Sequence, residues 1–230
     1  MKKLIIVALL LTVVLTLGAV APAMADEPGT WKVNTKAGSY LTSGEKALFK
    51  KAIKTLEGAS YTPVFRLAKQ TVSGTNYAFL CTSTTATASP ASAWKVVLVN
   101  RSPKGKCKVL KISNFNITKL KTRGSVYRQP DGDGTWTYNG KAVSSKGVPS
   151  AANKAFKKAA KGYAGVSLTP LALLGTQAVS GVNYKFLCRG VATTKKNTIC
   201  LYEVNVYKNA KGVCEITDCN VINLPAYLKY

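Results

Sequence analysis

One segment near the start of the chain has apolar residues at helical spacing, with four lysines among the polar positions between them. The apolar residues are Phe49, Ala52, Ile53 and Leu56. This spacing places them on one face and predicts a helix. Ser43 is a suitable N-cap, Glu45 lies in the first turn where a carboxylate favours the helix dipole, and Gly58 is suited to ending the helix.

Short runs rich in β-branched and aromatic residues follow this segment and predict strands. These runs are Tyr61–Lys69, Asn76–Cys81, Trp94–Asn100 and Cys107–Ser113, with Trp31–Val33 as a candidate opening strand. Turn residues at 73–74 and 103–105 separate neighbouring runs. One helix and several antiparallel strands predict an α+β domain, in which the helix packs on a four- to five-stranded β-meander.

The chain repeats itself. When the sequence is shifted by 107 residues, Gln70–Cys81 falls on Gln177–Cys188 with nine of the twelve residues identical. The same shift places Phe49 on Phe156 and predicts a second helix that begins near Ser150. We therefore expect two α+β domains of one fold, at residues 29–121 and 134–228, joined by a linker at 122–133.

The first residues have the pattern of an export signal. Two lysines precede an apolar run at 4–20, and Ala23-Met24-Ala25 is a small-x-small cleavage site. We interpret residues 1–25 as a signal peptide and expect a secreted or extracytoplasmic protein, with association to the cell envelope possible. An uncleaved membrane anchor is the alternative interpretation of the same run.

Composition argues against an enzyme. The chain has 33 Lys+Arg, 9 Asp+Glu and no histidine, which gives a formal charge of +24. Without histidine there is no Ser-His or Cys-His catalysis and no His-ligated zinc. The segment Asp131-Gly132-Asp133-Gly134 has too few carboxylates for a calcium site and is interpreted as a linker turn. No catalytic residue, metal or cofactor is expected.

The repeated loop resembles one in a known family. Its two copies are Gln70-Thr71-Val72-Ser73-Gly74 and Gln177-Ala178-Val179-Ser180-Gly181. Both match the Gln-x-Val-x-Gly loop of the cystatins, and the Asn-Tyr pair that follows each copy extends the match. The resemblance covers nearly the whole chain after residue 25, as two copies. It implies two cystatin-like domains.

The resemblance also implies reversible inhibition of papain-like cysteine proteases by a wedge of three segments. The residues that it assigns to protease binding in the first copy are Gly29, Gln70, Thr71, Val72, Ser73, Gly74, Pro103 and Lys104. In the second copy they are Gln177, Ala178, Val179, Ser180 and Gly181, with Gly134 as a less secure equivalent of Gly29.

The third segment of the wedge departs from the family pattern. A Pro-Trp pair belongs there, but Lys104 follows Pro103, and the second copy has Asn209-Ala210-Lys211-Gly212. The first copy is therefore the better candidate inhibitor. The alternative interpretation is that the loop serves the fold alone, with Gln70 and Gln177 satisfying backbone groups.

The positive charge supports a second function. A strongly basic protein attracts anionic polymers and membrane surfaces. The densest basic patches are residues 104–106 and 119–123, but no aromatic-interleaved basic motif is present, so no specific nucleic acid is expected. The alternative to protease inhibition is thus a basic module for anionic polymers or cell-envelope surfaces.

The six cysteines of an exported protein are candidates for disulfides. A hairpin that reverses at residue 210 sets Cys200 opposite residue 220, one place from Cys219, and a small bulge would bring the two into range. Secreted cystatins have a bridge across this hairpin at similar spacing. We therefore predict a Cys200–Cys219 disulfide, whereas Cys81 and Cys107, at opposite ends of a meander, should be too far apart to bond.

Overall fold

The computed structural model describes residues 29–35, 41–89, 92–115, 136–138, 148–193 and 199–230. The predicted signal peptide at 1–25, the linker at 122–133 and Gly134 lie outside these ranges and stay predictions, as do the domain boundaries. Within the described ranges, no helix is long and apolar enough to cross a membrane.

The first half of the chain forms one antiparallel sheet and one helix. The elements are β1 (Trp31–Val33), α1 (Ser43–Ala52), β2 (Ala59–Val72), β3 (Gly74–Thr85), β4 (Ser92–Arg101) and β5 (Cys107–Asn114). Each strand pairs with the next, so that the order in this first sheet is β1-β2-β3-β4-β5.

The second half forms a second antiparallel sheet of the same order. Its elements are β6 (Thr137–Tyr138), α2 (Ser150–Ala160), β7 (Val166–Val179), β8 (Gly181–Ala192), β9 (Ile199–Asn209), β10 (Cys214–Val221) and α3 (Pro225–Leu228). The order in this second sheet is β6-β7-β8-β9-β10.

Helix α1 begins with a capping box. The hydroxyl of Thr42 accepts a hydrogen bond from the Glu45 backbone N–H (3.1 Å), and the Glu45 carboxylate accepts one from the Thr42 N–H (2.9 Å). Thr42 is therefore the N-cap, not the predicted Ser43. The helix ends at Ala52, so Leu56 lies beyond it. The second oxygen of Glu45 pairs with Arg66 of β2 at 2.7 Å and ties the helix to the sheet.

The two sheets share an apolar core, which we call the shared core. From the first sheet it includes Leu67, Leu80, Trp94 and Val96, and from the second Leu171, Leu174, Leu187 and Leu201. Leu224, just before α3, and Leu228, its last residue, complete it from the second half. The indole N–H of Trp94 donates to the carbonyl oxygen of Leu174 at 2.9 Å, which joins the two halves by a buried hydrogen bond.

The opposite face of each sheet packs against its own helix. Phe49 of α1 meets Phe79 of β3 edge to face, with ring centroids 5.2 Å apart. In the second half, Phe156 of α2 and Phe186 of β8 repeat this contact at 5.1 Å. The repeated sequence thus forms a repeated helix–sheet contact.

The predicted α+β class is wrong. The described residues are mostly strand, in two antiparallel sheets with three short helices, and this is not two cystatin-like domains each built from one helix on a meander. The physical reason is that the sheets are buried on both faces. Residues 78–81 and 96–99 are buried without interruption, which is typical of strands covered on two sides, whereas one-sided sheets alternate.

Candidate functional site

The loop that carries the Gln-x-Val-x-Gly pattern is a tight β2–β3 hairpin. Val72 pairs with Gly74, so Ser73 alone forms its tip. Gly74 has φ +103°, and a Cβ there would clash with the backbone of Arg101 and Ser102 on the neighbouring hairpin. Glycine is therefore required both by the turn and by the close approach of the next hairpin.

The side chain of Gln70 is held inside a network of amides. Its Nε2 donates to the carbonyl oxygen of Gly29 at 2.5 Å, and its Oε1 accepts from Nδ2 of Asn76 at 2.8 Å. Asn76 is 1% exposed and its Oδ1 accepts from Asn100 at 2.7 Å. Gln70 thus satisfies a backbone group, as expected if the loop serves the fold, and it fixes Gly29 beside the hairpin.

Val72 has a different environment from its motif neighbours. Its side chain is 39% exposed at the end of β2, and the adjacent Thr71 and Ser73 are exposed as well. The fold holds Gln70 and Gly74 in place, but it leaves much of the apolar Val72 in water. The exposed valine is the apolar residue of the motif that is available to a partner.

The β4–β5 hairpin lies beside this tip. The Ser102 N–H donates to the Lys106 carbonyl (2.9 Å) and the Ser102 hydroxyl accepts from the Lys106 N–H (3.1 Å), which closes the turn. Pro103 and Lys104 are exposed at its apex. Residues 29, 70–74 and 101–106 therefore meet at one end of the first sheet, which we call the hairpin end.

The second copy repeats this hairpin with a more restrained tip. Gln177 accepts from Nδ2 of Asn183 at 2.9 Å, and a Cβ on Gly181 would clash with the carbonyl of Lys208. The hydroxyl of Tyr207 donates to the carbonyl of Ser180 at 2.5 Å. Val179 is half-buried, while Ala178 and Ser180 are exposed. The second tip is thus tied to its neighbouring hairpin through Tyr207, where the first copy has Asn100.

The hairpin end is basic. Its exposed cations are Arg101, Lys104 and Lys106, and the exposed Lys69 lies next to it on β2. Two carboxylates of the described residues are engaged elsewhere, since Glu45 pairs with Arg66 and Glu203 with Lys185. A positive field therefore surrounds the exposed valine.

The predicted Cys200–Cys219 disulfide is absent, and all six cysteines are free. The β9–β10 turn closes between Asn209 and Val213, and a bulge between Ile216 and Asp218 shifts the register further. Cys219 consequently lies opposite Val204, four residues along β9 from Cys200. This is about 13 Å at strand rise, whereas a disulfide needs Cα atoms about 4.4–6.8 Å apart.

The other thiols follow the strand register. Cys81 pairs with Lys95 and Cys107 with Arg101, six residues apart along β4, so the predicted separation is confirmed. Cys81 and Cys188 are fully buried, and burial raises the pKa of both thiols well above the ordinary value. Burial also raises the pKa of Cys219. Cys81 and Cys188 are thus neutral and inaccessible to solvent, and they are not candidate nucleophiles.

Tyr230 and Asn100 contribute to the hairpin end although the sequence did not single them out. Asn76 Nδ2 donates to the Tyr230 hydroxyl at 2.7 Å. The Asn-Tyr extension of the repeated loop indicated Asn76, but nothing local marks Tyr230, which is 154 residues away.

Comparison of the chain with protein-family models and with curated proteins found no match.

Proposed function

We propose that the protein reversibly inhibits papain-like cysteine proteases by placing its hairpin end in the protease cleft. One observation carries the proposal. Val72 is presented to solvent at the tip of a hairpin, while Gln70 and Gly74 on either side of it are fixed by hydrogen bonding and backbone packing. The proposal rests on this geometry and on the resemblance of the loop, and not on a cystatin-like fold.

A rigid hairpin is suited to this role for energetic reasons. Binding orders few additional residues when Gly29 and Gln70 are already joined by a hydrogen bond, so little conformational entropy is lost. Burial of the exposed part of Val72 in an apolar subsite contributes up to about 1.5 kcal/mol. We expect the protein to act by occupying the cleft.

The charge around the tip favours one kind of target. Exposed cations at Lys69, Arg101 and Lys104 would speed association with a protease whose cleft is rimmed by carboxylates. We therefore expect the association rate constant to fall as salt rises, while the dissociation rate constant changes little.

The test is a titration of a papain-like protease with the protein at about 150 mM salt, where the Debye length is about 8 Å. We expect stoichiometric, reversible loss of activity and recovery of uncleaved protein from the complex. Trypsin assayed on a small substrate is the control for specificity. Absence of inhibition at micromolar protein, or rapid cleavage of the protein as a substrate, would contradict the proposal.

A second candidate function, binding of anionic polymers, is favoured by the two lysine-bearing helices. Helix α1 and the turn after it expose Lys50, Lys51 and Lys54, and α2 and the residue after it expose the equivalents Lys157, Lys158 and Lys161. Each helix covers the sheet face that lies away from the shared core. The protein thus has a basic helix on each of two opposite faces.

Matched variants test this second function separately. Replacement of the three α1 lysines by glutamine, or of the three α2 lysines, should lower the salt concentration that elutes the protein from heparin, and by a similar amount. Both variants should inhibit the protease as the parent does, because neither helix belongs to the hairpin end. Unchanged elution of both variants would contradict a role for these helices in polyanion binding.

A further inference from the structure

Tyr230 belongs to the second half of the chain but lies at the hairpin end of the first. Its hydroxyl accepts from Asn76 Nδ2 at 2.7 Å and lies 3.4 Å from Oε1 of Gln70, to which it donates. The residue before it is held as well, because the ammonium of Lys111 donates to the Lys229 carbonyl at 2.6 Å. Three contacts therefore fix this segment on the first sheet.

Contacts in the shared core bring Tyr230 to the first sheet. Leu224 and Leu228 are buried between the sheets, and the ring of Tyr227 packs on Phe115 with centroids 5.4 Å apart. These contacts carry the chain from β10 across to the first sheet. The second half of the chain thus positions a residue beside the candidate site of the first half.

The ring of Tyr230 remains exposed although its hydroxyl is held. The residue is 63% exposed, and it contacts Gln70, whose side chain lies on the same sheet face as that of Val72, two residues further along β2. Tyr230 and Val72 are the large apolar side chains that the described residues expose at the hairpin end. Tyrosines of this kind, with a fixed polar tip and an open ring, are frequent anchors in protein interfaces.

We propose that Tyr230 is an additional binding contact of the hairpin end, supplied to the first copy of the repeat by the segment that follows the second copy. Tyr230 would contact the wall of the same protease cleft that receives Val72, so the inference rests on the proposed function. It explains how the site has an aromatic contact although the β4–β5 hairpin has only Pro103 and Lys104 at its apex. The tandem then forms one binding site rather than two.

The test compares Tyr230→Ala with Tyr230→Phe in the full protein. The alanine variant should raise the inhibition constant by about 30-fold, the size expected for an interface anchor. The phenylalanine variant should stay within about 3-fold of the parent, because it keeps the ring and loses only the hydroxyl. Tyr163→Ala, at an exposed tyrosine that follows α2, is the matched control and should inhibit as the parent does.

Each contrary result has a distinct meaning. A parent that inhibits while Tyr230→Ala inhibits equally well would overturn the contact but leave the proposed function standing. Equal losses in Tyr230→Phe and Tyr230→Ala would show that the hydroxyl network matters and not the ring, which also overturns the contact. A parent that does not inhibit at all would overturn both, because the inference names that cleft as the occupant.

Discussion

Replacement of Val72 by aspartate is expected to weaken inhibition of a papain-like protease by about 1000-fold. An unpaired carboxylate forced into an apolar cleft costs several kcal/mol, and every 1.4 kcal/mol is a factor of ten in affinity. Val72 is 39% exposed at the hairpin tip, so the free protein should tolerate the charge and its free energy of unfolding should change by less than about 0.5 kcal/mol. Inhibition constants and denaturant unfolding curves measure the two effects independently.

The second copy provides a matched control for this substitution. Val179→Asp makes the same chemical change at the equivalent position of the second hairpin, whose tip is tied to Tyr207. It should leave the inhibition constant within about threefold of the parent, because only the first hairpin lies beside Gly29, Pro103 and Tyr230. The proposal fails if Val72→Asp inhibits as well as the parent, and the assignment to the first copy fails if Val179→Asp has the larger effect.

The local elements of the fold could be predicted from the sequence because they depend on local patterns. The apolar stripe around Phe49 and the β-branched runs correspond to α1 and to β2–β5, although the strands extend further than those runs. The hairpin tip was equally visible, since Gly74 follows a serine between two strand-like runs. These features require no knowledge of distant contacts.

The arrangement of the sheets could not be predicted in the same way. The apolar runs at 78–81 and 96–99 predict strands, but they do not show which element covers the second face of each sheet, and the predicted class is wrong for this reason. The Cys200–Cys219 pair was misjudged because register depends on one turn residue and one bulge, and an error of two or three residues moves a thiol by about 7–10 Å. Tyr230 reaches its site through the shared core, and no local pattern encodes that path.

The two copies also differ in the residues on the sheet faces that point toward the shared core. In the second sheet, Lys185 and Glu203 are 1% and 3% exposed and form an ion pair at 2.9 Å. The equivalent residues of the first sheet, by the 107-residue shift, are Ala78 and Val96, both fully buried. These two positions of the fold therefore accept either two apolar residues or an ion pair. The first sheet is thus a reference for variants that remove the ion pair from the second.

Removal of one member of this pair should destabilise the protein strongly. In Glu203→Leu the Lys185 ammonium keeps its contact with the Trp136 ring, 5.0 Å away, but loses the carboxylate that balances its charge. Loss of one partner of a buried pair costs about 3–5 kcal/mol, and this should lower the melting temperature by about 10 °C. Lys185→Met should be destabilising for the converse reason. Calorimetry and urea unfolding provide the two measurements.

The double variant distinguishes an ion pair from two independent contributions. Lys185→Met combined with Glu203→Leu removes both charges and retains similar volume, whereas the first sheet has the smaller uncharged residues Ala78 and Val96 at these positions. Its free energy of unfolding should return to within about 1 kcal/mol of the parent or exceed it, because the desolvation cost of both ions is removed together. The coupling energy of the cycle should then be several kcal/mol. If the two losses simply add, the charges do not stabilise each other, and each side chain contributes through other contacts.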